Sequence, residues 1–183
     1  MPEEVLWASF FKIDNIFPFL EVNQSVHDLM EVGCGYGTFT IPAARLISGK
    51  LFAFDIDPVM IQHTREKAIS ERQENIGFFL RDIIEDGSGL PDDSMDYVML
   101  FNILHHSRPS ELLLETFRVL KNGGKAGIIH WRSDIETPRG PALSIRPTPE
   151  HCINWARQNG FLINRKPEIL GPYHFGLIIQ KTI

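Results

Sequence analysis

The first feature of this sequence that predicts a binding site is a glycine-rich turn preceded by an acidic residue. Residues 28–37 read DLMEVGCGYG, so Glu31 precedes glycines at every second position, namely Gly33, Gly35 and Gly37. Glycine allows positive φ and lets a ligand approach the backbone without a Cβ in the way. The pattern predicts a buried strand, a tight turn and a helix whose free N–H groups face the turn. We therefore expect a cofactor site at the first strand–helix junction of a doubly wound α/β sheet.

Histidines at the ends of two later apolar runs are candidates for proton transfer. His105 and His106 follow the run that ends at Phe101, and His130 follows the run 125–129. Histidine is the usual general base near neutral pH. A metal site from His105, His130 and His174 is conceivable because imidazole suits zinc or iron. No close ligand spacing supports it, and we expect no metal.

Two aspartates follow other predicted strands. Asp55 ends the apolar run 51–54, 22 residues after Gly33, where a carboxylate can accept hydrogen bonds from both ribose hydroxyls. Asp57 and Pro58 then predict the start of a helix, with Asp57 as its N-cap. Asp82 comes just past a third short run, 78–80. Because parallel strands end at one edge of a sheet, these acids are expected near the glycine turn.

The remaining elements alternate between apolar runs and helical patterns. Either Thr38 or Thr40 is expected to cap the helix after the glycine turn. Asn122-Gly123-Gly124 is expected to end a helix before a strand at Lys125–Ile129. A last helix over 150–159 is followed by two predicted strands, 161–163 and 174–179.

The ordered set of these motifs resembles the class I S-adenosylmethionine-dependent methyltransferases. Glu31 and the glycines form acid-x-G-x-G-x-G, which resembles motif I of that family, and Asp55 and Asp82 stand where the family has its later acids. The segment 90–98 and the string RVLKNGG at 118–124 are very close to those of the small-molecule, type 11/25-like branch. The resemblance covers residues 28–130.

The resemblance implies a seven-stranded, mostly parallel sheet with an antiparallel C-terminal hairpin, in a single domain of residues 1–183. It implies S-adenosyl-L-methionine as cofactor, with Glu31 at its amino-acid end, Asp55 on the ribose and Asp82 on the adenine amino group. Met60 is expected near the adenine edge. The expected cofactor-binding residues are Glu31, Gly33, Cys34, Gly35, Gly37, Asp55, Ile56, Met60, Asp82, Ile83 and Asn102.

The implied reaction is methyl transfer to a small-molecule acceptor that the sequence does not identify. A nitrogen or thiolate acceptor needs no strong base, whereas a hydroxyl or carbon acceptor does. His130 is the first candidate for that base, ahead of His106 and His105. Substrate contacts are expected from loop 130–149, which contains three arginines and four prolines, and from residues 1–24. That N-terminal segment is either a helix on the sheet edge or an aromatic lid that includes Trp7.

Two other functions stay open. A dinucleotide-dependent oxidoreductase would have G-x-G-x-x-G, but the sixth position from Gly33 is Thr38. The other is a cofactor-binding subunit without turnover that serves a partner protein.

Composition predicts which classes of partner and which cellular compartment to expect for the protein. The chain has 183 residues and a net charge of −5 without a long basic run, so we expect no nucleic-acid partner. Cys34 and Cys152 form no C-x-x-C pair, which predicts free thiols and a cytoplasmic location. Neither a basic leader nor a run of about 20 apolar residues is present, so we expect no membrane association. A homodimer or a partner subunit remains possible.

Overall fold

The computed structural model describes residues 4–182, which form one seven-stranded sheet flanked by helices. The strand order is β3-β2-β1-β4-β5-β7-β6, with β1 to β5 parallel and β7 antiparallel to both its neighbours. The strands are β1 (Leu29–Val32), β2 (Leu51–Asp55), β3 (Ile76–Leu80), β4 (Met95–Phe101), β5 (Leu120–Trp131), β6 (Phe161–Leu170) and β7 (His174–Lys181). This confirms the predicted fold class.

Two helices precede β1, the other helices follow between later strands, and a short 3₁₀ helix spans Leu143–Ile145. They are α1 (Glu4–Ala8), α2 (Ile13–Leu20), α3 (Thr40–Leu46), α4 (Pro58–Ser70), α5 (Ile83–Asp86), α6 (Pro109–Val119) and α7 (Pro149–Gln158). None of the helices described is long and apolar enough to cross a membrane.

Both faces of the central strands are buried, as the continuous apolar runs predict for a parallel sheet. All four residues of β1 are buried. One core cluster packs α2 and α3 against the sheet, for example through Leu20 and Ala43. The other packs α6 and α7 on the opposite face through Leu113 and Cys152. The sheet is therefore held rigidly, with the carboxyl ends of β1, β2 and β4 side by side.

The fifth strand is longer than the sequence predicts. Helix α6 already ends at Val119, so Asn122-Gly123-Gly124 lies inside β5 instead of ending the helix. At its other end, β5 continues to Trp131 because it pairs with β7, His130 opposite Phe175 and Trp131 opposite His174. The predicted loop 130–149 is thus corrected: its first two residues belong to a strand, and the loop proper begins after them.

The N-terminal segment predicted over residues 1–24 contains two helices, and its first three residues lie outside the described part of the chain. Helix α2 is fixed to the sheet because Tyr97 Oη donates a 2.7 Å hydrogen bond to the Leu20 carbonyl. Helix α1 lies near α4, where Glu4 accepts hydrogen bonds from Lys67 at 2.6 Å and from His63 at 2.9 Å. The segment therefore reaches across the carboxyl edge of the sheet.

Candidate functional site

The glycine turn has the backbone conformation that its composition predicts. Gly33, Gly35 and Gly37 have φ values of 81°, 51° and 72°, in the region that side chains with a Cβ rarely occupy. The amides of Gly33 and Cys34 both donate to the Phe54 carbonyl, at 2.8 and 2.9 Å. The turn is thereby fixed to the end of β2.

Asp55 holds the turn from the neighbouring strand. Its Oδ2 accepts from the Gly35 amide at 2.9 Å, and its Oδ1 accepts from the Asp57 amide at 3.0 Å. Each oxygen of a carboxylate has two lone pairs, so both can accept a further hydrogen bond. Asp57 caps α4 as predicted, accepting from the Val59 amide at 2.8 Å.

Two adjoining cavities open beside the turn, and Gly33, Asp55 and Ile103 line both. We name them after the polar residue that distinguishes each. The Asp82 cavity is also lined by Val32, Phe54, Ile56, Arg81, Asp82, Ile83, Ile84, His106 and Leu112. The Asn102 cavity is also lined by Trp7, Cys34, Gly35, Thr38, Phe39, Asp57, Met60, Phe101 and Asn102.

The structure gathers most of the expected cofactor-binding residues around these cavities. Ile56, which is 70% exposed, lies with Ile83 in the Asp82 cavity. Cys34 lies in the Asn102 cavity, whereas Glu31 and Gly37 line neither. Met60, expected near the adenine edge, lines the Asn102 cavity together with Trp7.

Asn102 and Asp82 each have side-chain atoms that are free to hydrogen-bond to a ligand. The side-chain oxygen and nitrogen of Asn102 are buried without a partner among the described residues, and its backbone has a positive φ of 56°. Asp82 caps α5 with Oδ1 alone, which accepts from the amides of Ile84 and Glu85. Its Oδ2 makes no hydrogen bond within the described chain and remains available to a ligand.

Glu31 is buried beneath the turn. It is 2% exposed, and its Oε2 has no hydrogen-bond partner among the residues described. Burial raises the pKa of Glu31 to about 8, the Thr40 hydroxyl opposes that shift, and the Asp55 carboxylate adds to it. Burial therefore favours the protonated form of this carboxyl group at neutral pH.

The three candidate histidines differ in accessibility. His130 is fully buried in β5, and burial lowers its pKa to about 3. His105 is half-buried, and burial together with His106 lowers its pKa. His106 is exposed and lines the Asp82 cavity. Within residues 4–182, no group of three or more histidine, cysteine or acidic side chains is placed to hold a metal ion.

Several residues at the site were not anticipated from the sequence. Thr64 donates a 2.6 Å hydrogen bond to the Gly35 carbonyl from α4 and thereby supports the turn. Ile103 lines both cavities. The only feature of the sequence that could have indicated this is its position next to Asn102. Phe39 and Phe101 form an aromatic wall, with ring centroids 4.8 Å apart. Nothing in the sequence distinguishes these two from ordinary core residues.

Comparison with known proteins agrees with a cofactor site at this glycine turn. A family model described as a methyltransferase domain, Methyltransf_25, matches residues 29–124, which is more than half of the chain. The chain belongs to this family, the class I S-adenosylmethionine-dependent methyltransferases of the type 11/25 kind. The protein is therefore a methyltransferase whose cofactor is S-adenosylmethionine. The family match argues against the oxidoreductase alternative.

Solved structures show the same fold. A SAM-dependent methyltransferase from Aquifex aeolicus superposes with a TM-score of 0.84 at 21% identity, over 98% of this chain and 93% of that one. The (4+2)-cyclase SpnF superposes with a TM-score of 0.77 at 18% identity, over 93% of this chain and 80% of that one. At these identities, the likeness concerns the fold alone.

One curated relative matches over a short stretch. The 23S rRNA (uracil(1939)-C(5))-methyltransferase RlmD of Alcanivorax borkumensis is 35% identical over 63 residues, or 34% of this chain. The chain spans only 14% of the length of that relative.

Proposed function

We propose that this methyltransferase binds S-adenosylmethionine across the two cavities and transfers its methyl group to a small molecule. The adenine is assigned to the Asp82 cavity and the amino-acid end to the Asn102 cavity. The ribose is assigned to Asp55, which lines both. The observation that carries the proposal is that these cavities adjoin at Gly33 and Asp55 and contain hydrogen-bonding groups without partners.

The residues that line the two cavities fit the cofactor, whereas Glu31, expected at its amino-acid end, lines neither. Ile56 and Ile83 provide apolar surface for adenine, and the free Oδ2 of Asp82 can accept from its amino group. The unpartnered amide of Asn102 can pair with the amino-acid end. The three glycines leave the turn without side chains that would fill this space.

The bound cofactor would supply an electrophilic methyl group on a sulfonium, which needs little further activation. The protein's contribution is to position the two reactants and to exclude water. Trp7, Phe39 and Phe101 line the Asn102 cavity with apolar surface and would remove water from the transfer position.

A small-molecule acceptor is supported by the shape of the site and by the net charge of the chain. Trp7 forms part of the wall of the Asn102 cavity, which confines the space next to the glycine turn. The net charge of −5 is unfavourable for contact with a phosphate backbone. The short match to an rRNA methyltransferase makes RNA the alternative to be tested.

Cofactor placement can be tested by calorimetric titration with S-adenosylhomocysteine. Asp55→Ala is expected to weaken binding by roughly 1–3 kcal/mol, or about 5- to 150-fold, because a charged hydrogen-bond acceptor is lost. Asp86→Asn is the matched control, since Asp86 is exposed and lines neither cavity. Unchanged affinity in Asp55→Ala would contradict the ribose assignment.

The acceptor class can be tested with cofactor labelled in the transferable methyl group. The enzyme is incubated separately with a low-molecular-mass extract, total RNA and total protein, and label is expected in the first. Label entering RNA instead would overturn the small-molecule proposal. Cofactor binding without transfer to any fraction would indicate the binding subunit that lacks turnover.

A further inference from the structure

The outer edge of the sheet at β3 lacks the features that usually keep a strand from pairing with another chain. Within the described chain β3 pairs with β2 alone, and its five residues, Ile76–Leu80, include no charged residue and no proline. Phe79 is 39% exposed and Leu80 is 58% exposed. Native edge strands are commonly blocked by Lys, Pro or a β-bulge, because an open edge invites a further strand. The β3 edge is therefore open and apolar.

The opposite edge of the same sheet is blocked. Strand β6 has Arg165, Lys166 and Pro167 in its middle, and its register with β7 shifts twice in this stretch. Arg165 also donates a 2.7 Å hydrogen bond to the Phe19 carbonyl, which ties the strand to α2. Of the two edges of the sheet, the β3 edge is thus the one suited to strand addition.

The backbone of β3 has unpaired hydrogen-bonding groups at regular spacing along this edge. Asn75 and Arg81, which flank the strand, both bond to β2 at 2.9 Å, the first through its carbonyl and the second through its amide. Alternate residues of a parallel strand bond to the same side, so the odd-numbered residues face β2. The N–H and C=O groups of Ile76, Phe78 and Leu80 therefore point away from the sheet and have no partner within the described chain.

The charges around this edge allow two copies of the chain to meet. The net charge of −5 repels a second copy in general. The residues beside and after β3, by contrast, have both signs: Arg65, Arg72 and Glu74 line a groove beside the strand, and Arg81 and Asp82 directly follow it. Two chains of like net charge can therefore approach each other at this edge.

We propose that β3 is a dimer interface, at which a second copy of this chain adds its own β3 antiparallel and extends the sheet. In the register centred on Phe78, that residue lies opposite its counterpart, Ile76 lies opposite Leu80, and Gly77 lies opposite Phe79. Every apolar side chain of the strand then has an apolar neighbour or covers the glycine, and aromatic side chains stabilise edge glycines in this way. A two-fold axis repeats each contact in both directions, so the strand is complementary to itself.

The size of this contact determines how strong the dimer should be. A strand of five residues is about 17 Å long, so the interface lies at the small end of specific contacts, near or below about 1,200 Å² in total. We therefore expect a dimer that forms at micromolar concentrations and dissociates on dilution. Antiparallel joining places the carboxyl ends of the two sheets at opposite edges, so both cofactor cavities stay open. The inference does not depend on the proposed function.

Light scattering coupled to size exclusion tests the interface with two matched variants. The mass of the wild-type chain is expected to rise from 20.9 kDa toward twice that value between about 5 and 500 µM. Leu80→Lys puts a charge on the proposed interface and should keep the mass at that of one chain. Leu162→Lys makes the same change on β6, where Leu162 is 60% exposed, and should leave the dimer intact. A monomeric wild type, or a dimer that Leu80→Lys does not disrupt, would overturn the proposal.

Amide hydrogen exchange of the wild-type protein gives a result that does not depend on how the variants fold. The amides of Ile76, Phe78 and Leu80 are expected to exchange about tenfold more slowly at the highest concentration than at the lowest, because pairing occupies them. The Gly77 and Phe79 amides are internal references, since β2 holds them in both states. A dimer in which the first three amides exchange equally fast at both concentrations would place the contact elsewhere and overturn the proposal.

Discussion

At the scale of single residues, the backbone conformation of the glycine turn follows from residue type. The positive φ of Gly33, Gly35 and Gly37 was predictable because no other residue type takes such angles at so small a cost. The cap of α3 was harder to predict. Neither Thr38 nor Thr40 caps α3; the N-cap is Phe39, whose helical φ and ψ of −103° and −34° leave no extended residue there to place a capping side chain. The Ile41 amide already bonds to the Gly37 carbonyl, so the turn runs directly into the helix.

Two glycines with similar backbone angles allow the cost of backbone strain to be separated from the cost of a steric clash at an added Cβ. Gly37 has φ +72° and Gly171 has φ +77°, but a Cβ on Gly37 would lie 2.9 Å from Thr64 Cγ2, whereas one on Gly171 would meet nothing within 4 Å. Gly171→Ala is expected to cost about 1–2 kcal/mol of unfolding free energy from backbone strain alone. Gly37→Ala should cost more, because Thr64 must also move.

The measurement is urea-induced unfolding of both variants and wild type. The difference between the variants reports the contact with Thr64, and Gly37→Ala should additionally weaken cofactor binding. Equal stabilities would mean that the turn relaxes without disturbing α4.

At the scale of elements, the position of α1 next to the Asn102 cavity favours the lid interpretation of the N-terminal segment. Trp7 packs on Phe11 and Trp131, with ring centroids 5.1 and 6.1 Å apart, and it also lines the cavity. Trp7→Ala is expected to raise the dissociation rate of the cofactor by about tenfold, with a smaller effect on global stability.

Stopped-flow fluorescence measures that rate, and Val5→Ala is the control on the same helix, since Val5 is 83% exposed. Similar dissociation rates in the two variants would indicate that α1 only packs on the sheet edge.

Element boundaries show where sequence reasoning stops. The positions of the strands along the chain followed from apolar runs and turn residues, whereas their pairing was implied by the family resemblance. Pro58 predicted the start of α4 correctly. The length of β5 did not follow, because its last residues are ordered by pairing with β7, more than 40 residues later. That pairing places His130, the residue ranked first as base, inside the sheet, where it is fully buried.

At the scale of the whole molecule, buried titratable groups give stability a pH optimum in the cofactor-free protein. Burial lowers the pKa of His130 and of His174 to about 3, whereas an unfolded histidine titrates near 6.5. The unfolded state thus binds more protons between these limits, and stability falls as pH drops below about 6.5. Burial of Glu31 raises its pKa to about 8, so its contribution is lost as pH rises from about 4.3 to 8.

Unfolding free energy is therefore expected to be greatest near pH 6.5, with limbs of up to about 1.4 kcal/mol per pH unit for each group. Chemical denaturation between pH 5 and 8.5 measures it. His174→Phe should flatten the acid limb, since both ring nitrogens of His174 are buried without partners among the residues described. Glu31→Gln should flatten the alkaline limb. A stability independent of pH in wild type would contradict these assignments.

The insertion of β7 between β5 and β6 has a consequence for biosynthesis. The glycine turn and both aspartates belong to the part of the sheet formed by β1 to β4, and these strands are complete once residue 101 has been translated. The ring contacts of His174 with Trp131 and with Phe11 require β7, which is translated last among the strands. A nascent chain would thus contain all the strands around the proposed cofactor site well before it contains the strand that joins β5 to β6.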